Sequence, residues 1–123
     1  MNSDEVKAIV GRSLSIWQPP IVEPGSTVGV PWPAERYRAE IEVLRTAIVT
    51  PYRQLFWLDE TYEHATAAEK PQAEYWVVAA TADVLVWFDE VTGDFGLGEP
   101  GSDPALPRSI GVRGDLVGSF CAR

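Results

Sequence analysis

The stretch that most constrains the fold is residues 74–97, EYWVVAATADVLVWFDEVTGDFGL. Its apolar runs are rich in β-branched and aromatic residues, which is typical of β-strands. Turn-forming residues interrupt the runs at 81–83 and again at 91–94, where Gly93 can adopt a positive φ. The stretch therefore predicts an antiparallel meander, so the fold must contain a sheet.

A two-residue turn at Ala82 and Asp83 would place Val78 opposite Trp87 in this meander. Side chains alternate between the faces of a sheet, so this register predicts which residues share a face. One face would carry Trp76, Val78, Leu85 and Trp87, and the other would carry Tyr75, Val77, Val86 and Phe88. One face must be core, and an uncovered second face would be an aromatic binding patch.

Helical spacing of apolar residues predicts a first helix, capped by Ser3 or Asp4, and a second helix over residues 33–49. A short strand over 14–17, an aromatic-rich strand over 52–62, a strand over 109–112 and a last helix capped by Asp115 complete the pattern. These elements predict one α+β domain over residues 1–123. It would have a mainly antiparallel sheet of about four to five strands, with two or three helices packed on it.

Residues 18–33 hold five of the ten prolines, yet they also include several apolar side chains. Proline lacks the N–H that helices and sheet ladders use, so we expect an extended segment here. Because it is too apolar for a plain linker, we expect it to lie across the body of the protein, anchored by Trp32.

Charge is distributed unevenly along the chain, whose formal net charge is −8. Between residues 54 and 107, Lys70 is the only basic residue against eleven acidic ones, a net charge of −10. Binding to nucleic acid is disfavoured, because neutralising phosphates needs a basic surface. No apolar run is long enough to span a membrane, no signal peptide is visible and cysteine occurs once, so we expect a soluble cytoplasmic protein.

Catalysis by a nucleophile has little support, because His64 is the only histidine and Cys121 the only cysteine. One residue of each type is also too few for a typical zinc site. The acids Asp89, Glu90 and Asp94 lie within a six-residue segment that is too short for a calcium-binding EF-hand loop. We therefore predict no catalytic residues, no metal and no cofactor.

Two pairs of carboxylates each follow an aromatic strand, Asp59–Glu60 after FWL and Asp89–Glu90 after VWF. If these strands were neighbours, the four acids would gather at one edge and could raise one another's pKa, as in glycosidases. The alternative is that they are solvated strand ends, where acids are commonly found.

The leading hypothesis is a small acidic protein-binding module that engages a basic protein partner. In size and charge the chain is comparable to bacterial immunity proteins, which neutralise toxins; no motif supports the comparison. The alternatives are a small enzyme or ligand-binding protein with clustered carboxylates, and a subunit that forms a homodimer. The predicted partner-binding residues are Asp59, Glu60, Asp89, Glu90 and Asp94 for charge, with Trp57, Trp76 and Trp87 as anchors.

Overall fold

A computed structural model describes residues 1–19 and 32–123, which form four helices and five strands. The predicted α+β class is confirmed. In chain order the elements are α1 Ser3–Ile16, α2 Ala34–Ala47, β1 Ile48–Leu58, α3 Tyr62–Thr66, β2 Gln72–Ala80, β3 Leu85–Phe88, β4 Phe95–Glu99, β5 Arg108–Gly114 and α4 Leu116–Cys121.

The five strands form a closed barrel in the order β1-β2-β3-β4-β5. Consecutive strands pair antiparallel, as the meander predicts. Closure comes from a short parallel pairing of β1 with β5, in which Trp57 lies beside Arg108 and Leu58 beside Ser109. Within the described residues this pairing covers two positions of each strand, so the barrel is closed over a short length of β1 and β5.

The predicted register between β2 and β3 is confirmed next to the turn, where Ala80 pairs with Leu85 and Ala79 with Val86, and is wrong by one residue beyond that point. Val77, not Val78, lies opposite Trp87, because the ladder has an irregularity between Val77 and Ala79. An extra residue of this kind is a β-bulge, and it moves every later side chain to the other face. Trp87 therefore shares a face with Tyr75 and Val77, whereas Val86 is on the face that carries Trp76.

The two faces of the sheet belong to two separate cores. The barrel interior is filled by Phe56, Tyr75, Val77 and Trp87. The outer face packs against the helices and contributes to a larger cluster with Val6, Val10, Trp76, Val78, Val86, Phe88, Phe95, Leu97, Leu44, Leu116, Val117 and Phe120. Gly96 and Gly98 leave room for the interior rings, because a Cβ at either position would collide with the Trp87 or Phe56 ring.

Several element boundaries differ from those expected. Asn2, rather than Ser3 or Asp4, caps α1, and its side chain and that of Glu5 form a reciprocal capping box. The helix continues to Ile16, so the short strand predicted over residues 14–17 is not formed. The strand predicted over 52–62 is β1 at 48–58, and Pro51 lies within it, between Ile48 and Tyr52, where the pairing with β2 is irregular.

The last helix is capped as expected, since the Asp115 carboxylate accepts a hydrogen bond from the Gly118 N–H at 2.9 Å. The prediction for the proline-rich segment falls mainly on residues 20–31, which lie outside the described residues. Trp32 is described, and the Arg36 guanidinium lies 3.6 Å from its ring centroid. Within residues 1–19 and 32–123, no helix has both the length and the apolar character needed to cross a membrane.

Candidate functional site

The end of the barrel is organised around Arg113, which lies near the end of β5 directly across from Gly96 of β4. Because Gly96 has no side chain, the space beside it is occupied by the Trp87 ring. The Arg113 guanidinium carbon lies 4.7 Å from the Trp87 ring centroid, and Trp87 in turn stacks on Tyr75 at 4.2 Å. The Arg113 cation thus lies against the last ring of the aromatic barrel interior.

Every nitrogen of the Arg113 guanidinium donates a hydrogen bond. The Nε donates to Glu60 Oε1 at 2.8 Å and the Nη1 to Asp89 Oδ2 at 3.3 Å. The Nη2 donates to the Tyr75 hydroxyl at 2.7 Å and to Glu60 Oε2 at 3.4 Å. The Asp94 carboxylate lies farther away, with its Oδ2 at 3.7 Å from Nη1.

Burial makes this cluster electrostatically strong. The side chains of Glu60 and Asp89 are only 6% and 11% exposed, whereas that of Arg113 is 32% exposed. Burial alone lowers the pKa of Arg113, but the hydrogen bonds and charge of Glu60 outweigh it, so the pKa is raised above its ordinary value. Burial, and then the charge of Glu60, raises the pKa of Tyr75 to about 12.

A second arginine, Arg53 of β1, lies on the outer face of the sheet. Its Nη1 contacts both Glu74 and Glu90 at 3.1 Å, and its guanidinium carbon is 4.5 Å from the Trp76 ring centroid. The slight burial of Glu90 raises its pKa, but the hydrogen bond and charge of Arg53 have the larger effect. The pKa of Glu90 is therefore lowered.

A third arginine, Arg108, stands where β5 begins. Its Nη1 lies 3.4 Å from Asp59 and its Nη2 lies 3.1 Å from Glu99. Its guanidinium carbon is 5.9 Å from the Trp57 ring centroid. Each of the three tryptophans predicted to anchor a partner therefore has an arginine of the same chain beside its ring.

The three arginines and their acids form three separate clusters, which we call together the carboxylate–arginine belt. Its members are Arg53, Asp59, Glu60, Glu74, Asp89, Glu90, Asp94, Glu99, Arg108 and Arg113. Seven carboxylates share three guanidiniums, so the belt has a net charge of −4. The acidic segment is thus partly neutralised by arginines that lie just outside it in sequence.

The two predicted carboxylate pairs are both divided between arginines. Their strands are not neighbours, since β2 lies between β1 and β3. Glu60 and Asp89 both contact Arg113. The other member of each pair contacts a different arginine, Asp59 with Arg108 and Glu90 with Arg53. A guanidinium between carboxylates differs from the acid–base arrangement of glycosidases, in which one carboxyl acts as a proton donor.

The predicted tryptophans have very different exposures. Trp87 is 0% exposed and Trp76 is 6% exposed, so their rings belong to the interior and to the helix-covered core. Trp57 is part-exposed on β1. Of the three predicted aromatic anchors, only Trp57 has ring surface that a partner could touch.

The structure adds two apolar surface residues that the sequence reasoning did not select. Tyr62 is 81% exposed and Val91 is 90% exposed. Val91 adjoins the cluster, because its N–H donates to Asp89 Oδ1 at 3.0 Å, and Tyr62 follows Glu60 by two positions at the start of α3. Asp94 has a side-chain exposure of 42%. We call Tyr62, Val91, Asp94 and Arg113 the Arg113 surface.

The groups considered for nucleophilic chemistry have structural partners. The His64 Nδ1 accepts a hydrogen bond from the Glu60 backbone N–H at 3.2 Å. Cys121 packs against the helical core, and burial raises the pKa of its thiol, which disfavours the reactive thiolate. In the part of the chain that is described, no three His, Cys, Asp or Glu side chains are grouped so as to hold a metal ion.

Comparisons of the chain with protein-family models, with curated proteins and with solved structures give no match. Function must therefore be argued from the site itself.

Proposed function

We propose that the protein is a binding module for a basic protein partner, and that the Arg113 surface makes the contact. The observation that carries the proposal is the excess of negative charge beside exposed apolar side chains. Three carboxylates share the single guanidinium of Arg113, the Val91 backbone N–H donates to one of them, and Tyr62 follows another by two positions; Tyr62 and Val91 have most of their area exposed. Aromatic residues with charged neighbours are frequent centres of binding energy at protein interfaces.

Asp94 is the acid best placed to meet a lysine or arginine from the partner. Its contact with Arg113 is the longest of the three and its side chain is the most exposed. Glu60 and Asp89 lie beneath it and hold Arg113 in place, so they would support the surface rather than contact the partner. Trp76 and Trp87, which are buried, have no part in this surface.

Electrostatic attraction of this kind speeds association and is weakened by salt. An inhibitor of the immunity type, which covers a basic surface on a toxin, would act in this way. With a single cysteine the chain suits a reducing compartment, and we propose that the interaction takes place in the cytoplasm.

The test is affinity capture with the wild-type chain at about 0.05 M and about 0.5 M sodium chloride, followed by kinetic measurements on each purified candidate partner. A triple variant, Tyr62→Ala, Val91→Ser and Asp94→Asn, changes the Arg113 surface. A matched control, Tyr52→Ala, Val43→Ser and Glu42→Gln, makes the same chemical changes at other exposed positions.

We expect a basic partner whose association slows by about tenfold or more at the higher salt concentration. The Arg113 surface variant should lose this binding, while the control variant keeps it. A partner that binds equally at both salt concentrations, a partner that both variants retain, or no partner in repeated captures would contradict the proposal.

A further inference from the structure

A separate groove with a volume of about 630 Å³ lies beside Trp57. This volume is within the range of roughly 300–1,000 Å³ that is usual for small-molecule sites. Trp57 and Gln72 face each other across the β1–β2 pairing, and the loop before β2 supplies Glu69 and Lys70. Leu106, from the loop before β5, completes the lining.

The indole ring of Trp57 gives the groove a flat apolar wall with cations at its border. The Lys70 Nζ lies 5.8 Å from the ring centroid and the Arg108 guanidinium carbon lies 5.9 Å from it. Lys70 is fixed there, because its Nζ donates to the carbonyl oxygens of Ala65 at 2.8 Å and His64 at 3.3 Å. The Lys70 cation beside the Trp57 ring is therefore already in place before a ligand binds.

The charges around the groove select against an ionic ligand. Among the lining side chains, Glu69 and Lys70 cancel to a net charge of zero. A cationic ligand over the ring would be repelled by Lys70 and Arg108. An anionic ligand would gain little from these two cations, because Lys70 already donates to two carbonyl oxygens and Arg108 already contacts Asp59 and Glu99; Glu69 and the net charge of −8 would also repel it.

A neutral ligand for this groove must have one apolar face and a border that forms hydrogen bonds. Trp57 supplies the apolar contact, while the exposed side chains of Glu69 and Gln72 supply acceptors and donors. A pyranose sugar has this form, since its ring C–H groups lie on one face and its hydroxyls project from its edge. We propose that the groove binds a neutral carbohydrate whose sugar ring stacks on Trp57.

The proposal is tested by titrating the full chain with neutral hexasaccharides of α-linked glucose, β-linked glucose and N-acetylglucosamine. Binding is followed by NMR of the tryptophan indole N–H and glutamine side-chain amide signals, with the Trp57 signal assigned by Trp57→Phe. At least one saccharide should give saturable shifts centred on Trp57 and Gln72. Trp57→Ala should weaken the affinity by about tenfold, which corresponds to about 1.4 kcal/mol for the lost stacking of the ring.

Tyr52→Ala is the control, since it removes an exposed aromatic ring outside the groove and should leave the affinity unchanged. Adenosine, a neutral ligand with a flat aromatic base, tests whether any ring would suffice. The absence of shifts at about 10 mM of every saccharide, tighter binding of adenosine, or unchanged affinity in Trp57→Ala would overturn the proposal. If Trp57→Ala does not fold, a double variant with Glu69→Gln and Gln72→Ala is tested in its place and should weaken binding. Unchanged affinity in the double variant would overturn the proposal.

Discussion

Replacing Arg113 with alanine removes the cation that Glu60, Asp89 and Asp94 share. Two of its hydrogen bonds are short, at 2.8 Å to Glu60 and 2.7 Å to Tyr75. A hydrogen bond to a charged group contributes about 1.5–3 kcal/mol net, and the lower figure applies because the guanidinium is one-third exposed. The two short bonds therefore give a loss of about 3 kcal/mol in the free energy of unfolding.

The carboxylates left behind add to the cost, because Glu60 and Asp89 are largely buried and would lack their counter-ion. Breaking a fully buried ion pair costs roughly 3–5 kcal/mol, which sets the upper limit. For a chain of 123 residues, 1 kcal/mol corresponds to about 4 °C in melting temperature. Arg113→Ala should therefore melt about 12 °C lower than the wild type.

Denaturant unfolding at neutral pH measures the loss, with three further variants. Arg113→Lys keeps the charge but not the forked geometry, so it should fall between wild type and Arg113→Ala. Adding Glu60→Gln and Asp89→Asn to Arg113→Ala removes the uncompensated charges and should recover part of the stability.

Arg45→Ala serves as the control for losing an arginine. Arg45 contacts Glu42 at 3.8 Å, and both side chains are more than half exposed, so the loss should be within about 0.5 kcal/mol. A loss below about 1 kcal/mol in Arg113→Ala, or no recovery when the two acids are neutralised, would refute this account of the barrel end.

Three further predictions concern the barrel and its titrating groups. Gly96→Ala should cost several kcal/mol in denaturant unfolding, because its Cβ would overlap an interior indole ring, whereas Gly101→Ala, with its nearest neighbour at 3.6 Å, should be almost neutral. Burial raises the pKa of Tyr75 from 10.0 to about 12, so its contribution is complete below pH 10 and is lost as pH rises towards 12; Tyr75→Phe should unfold with less dependence on pH in that range. The pKa of Glu90 is lowered from its ordinary value of 4.5, so the group contributes stability above pH 4.5 that is lost as pH falls through its pKa in the folded protein. In Arg53→Ala, NMR titration should show the pKa of Glu90 returning towards 4.5.

Secondary structure was predictable wherever one local rule decided it. The β-branched and aromatic runs of 74–97 and the turn at Gly93 indicated the meander, and Asp115 marked the start of the last helix. The predicted ends of helices and strands were wrong where a helix pattern and a strand pattern met within a few residues. The predicted helix over 33–49 and strand over 52–62 leave Pro51 between two elements. In the structure Pro51 lies inside β1, because a strand tolerates proline where its pairing is irregular.

The sequence by itself determined the α+β class, the antiparallel meander and the excess of acids between residues 54 and 107. Only the tertiary structure decided which of those acids have partners. Glu60 and Arg113 are 53 positions apart, and they meet because β5 closes the barrel beside the end of β1. Local periodicity carries no information about such a pairing, which depends on strand order.

The bulge in β2 is a second feature that only the tertiary structure decided, and it determines which aromatic residues share a face. The extra residue places Trp87 on the same face as Tyr75 and Val77, in the barrel interior, where it contacts Arg113. The sequence established that acidic residues follow the aromatic strands of this region. The fold determined that three of the chain's own arginines lie among these acids, so that several of them already have a partner within the chain.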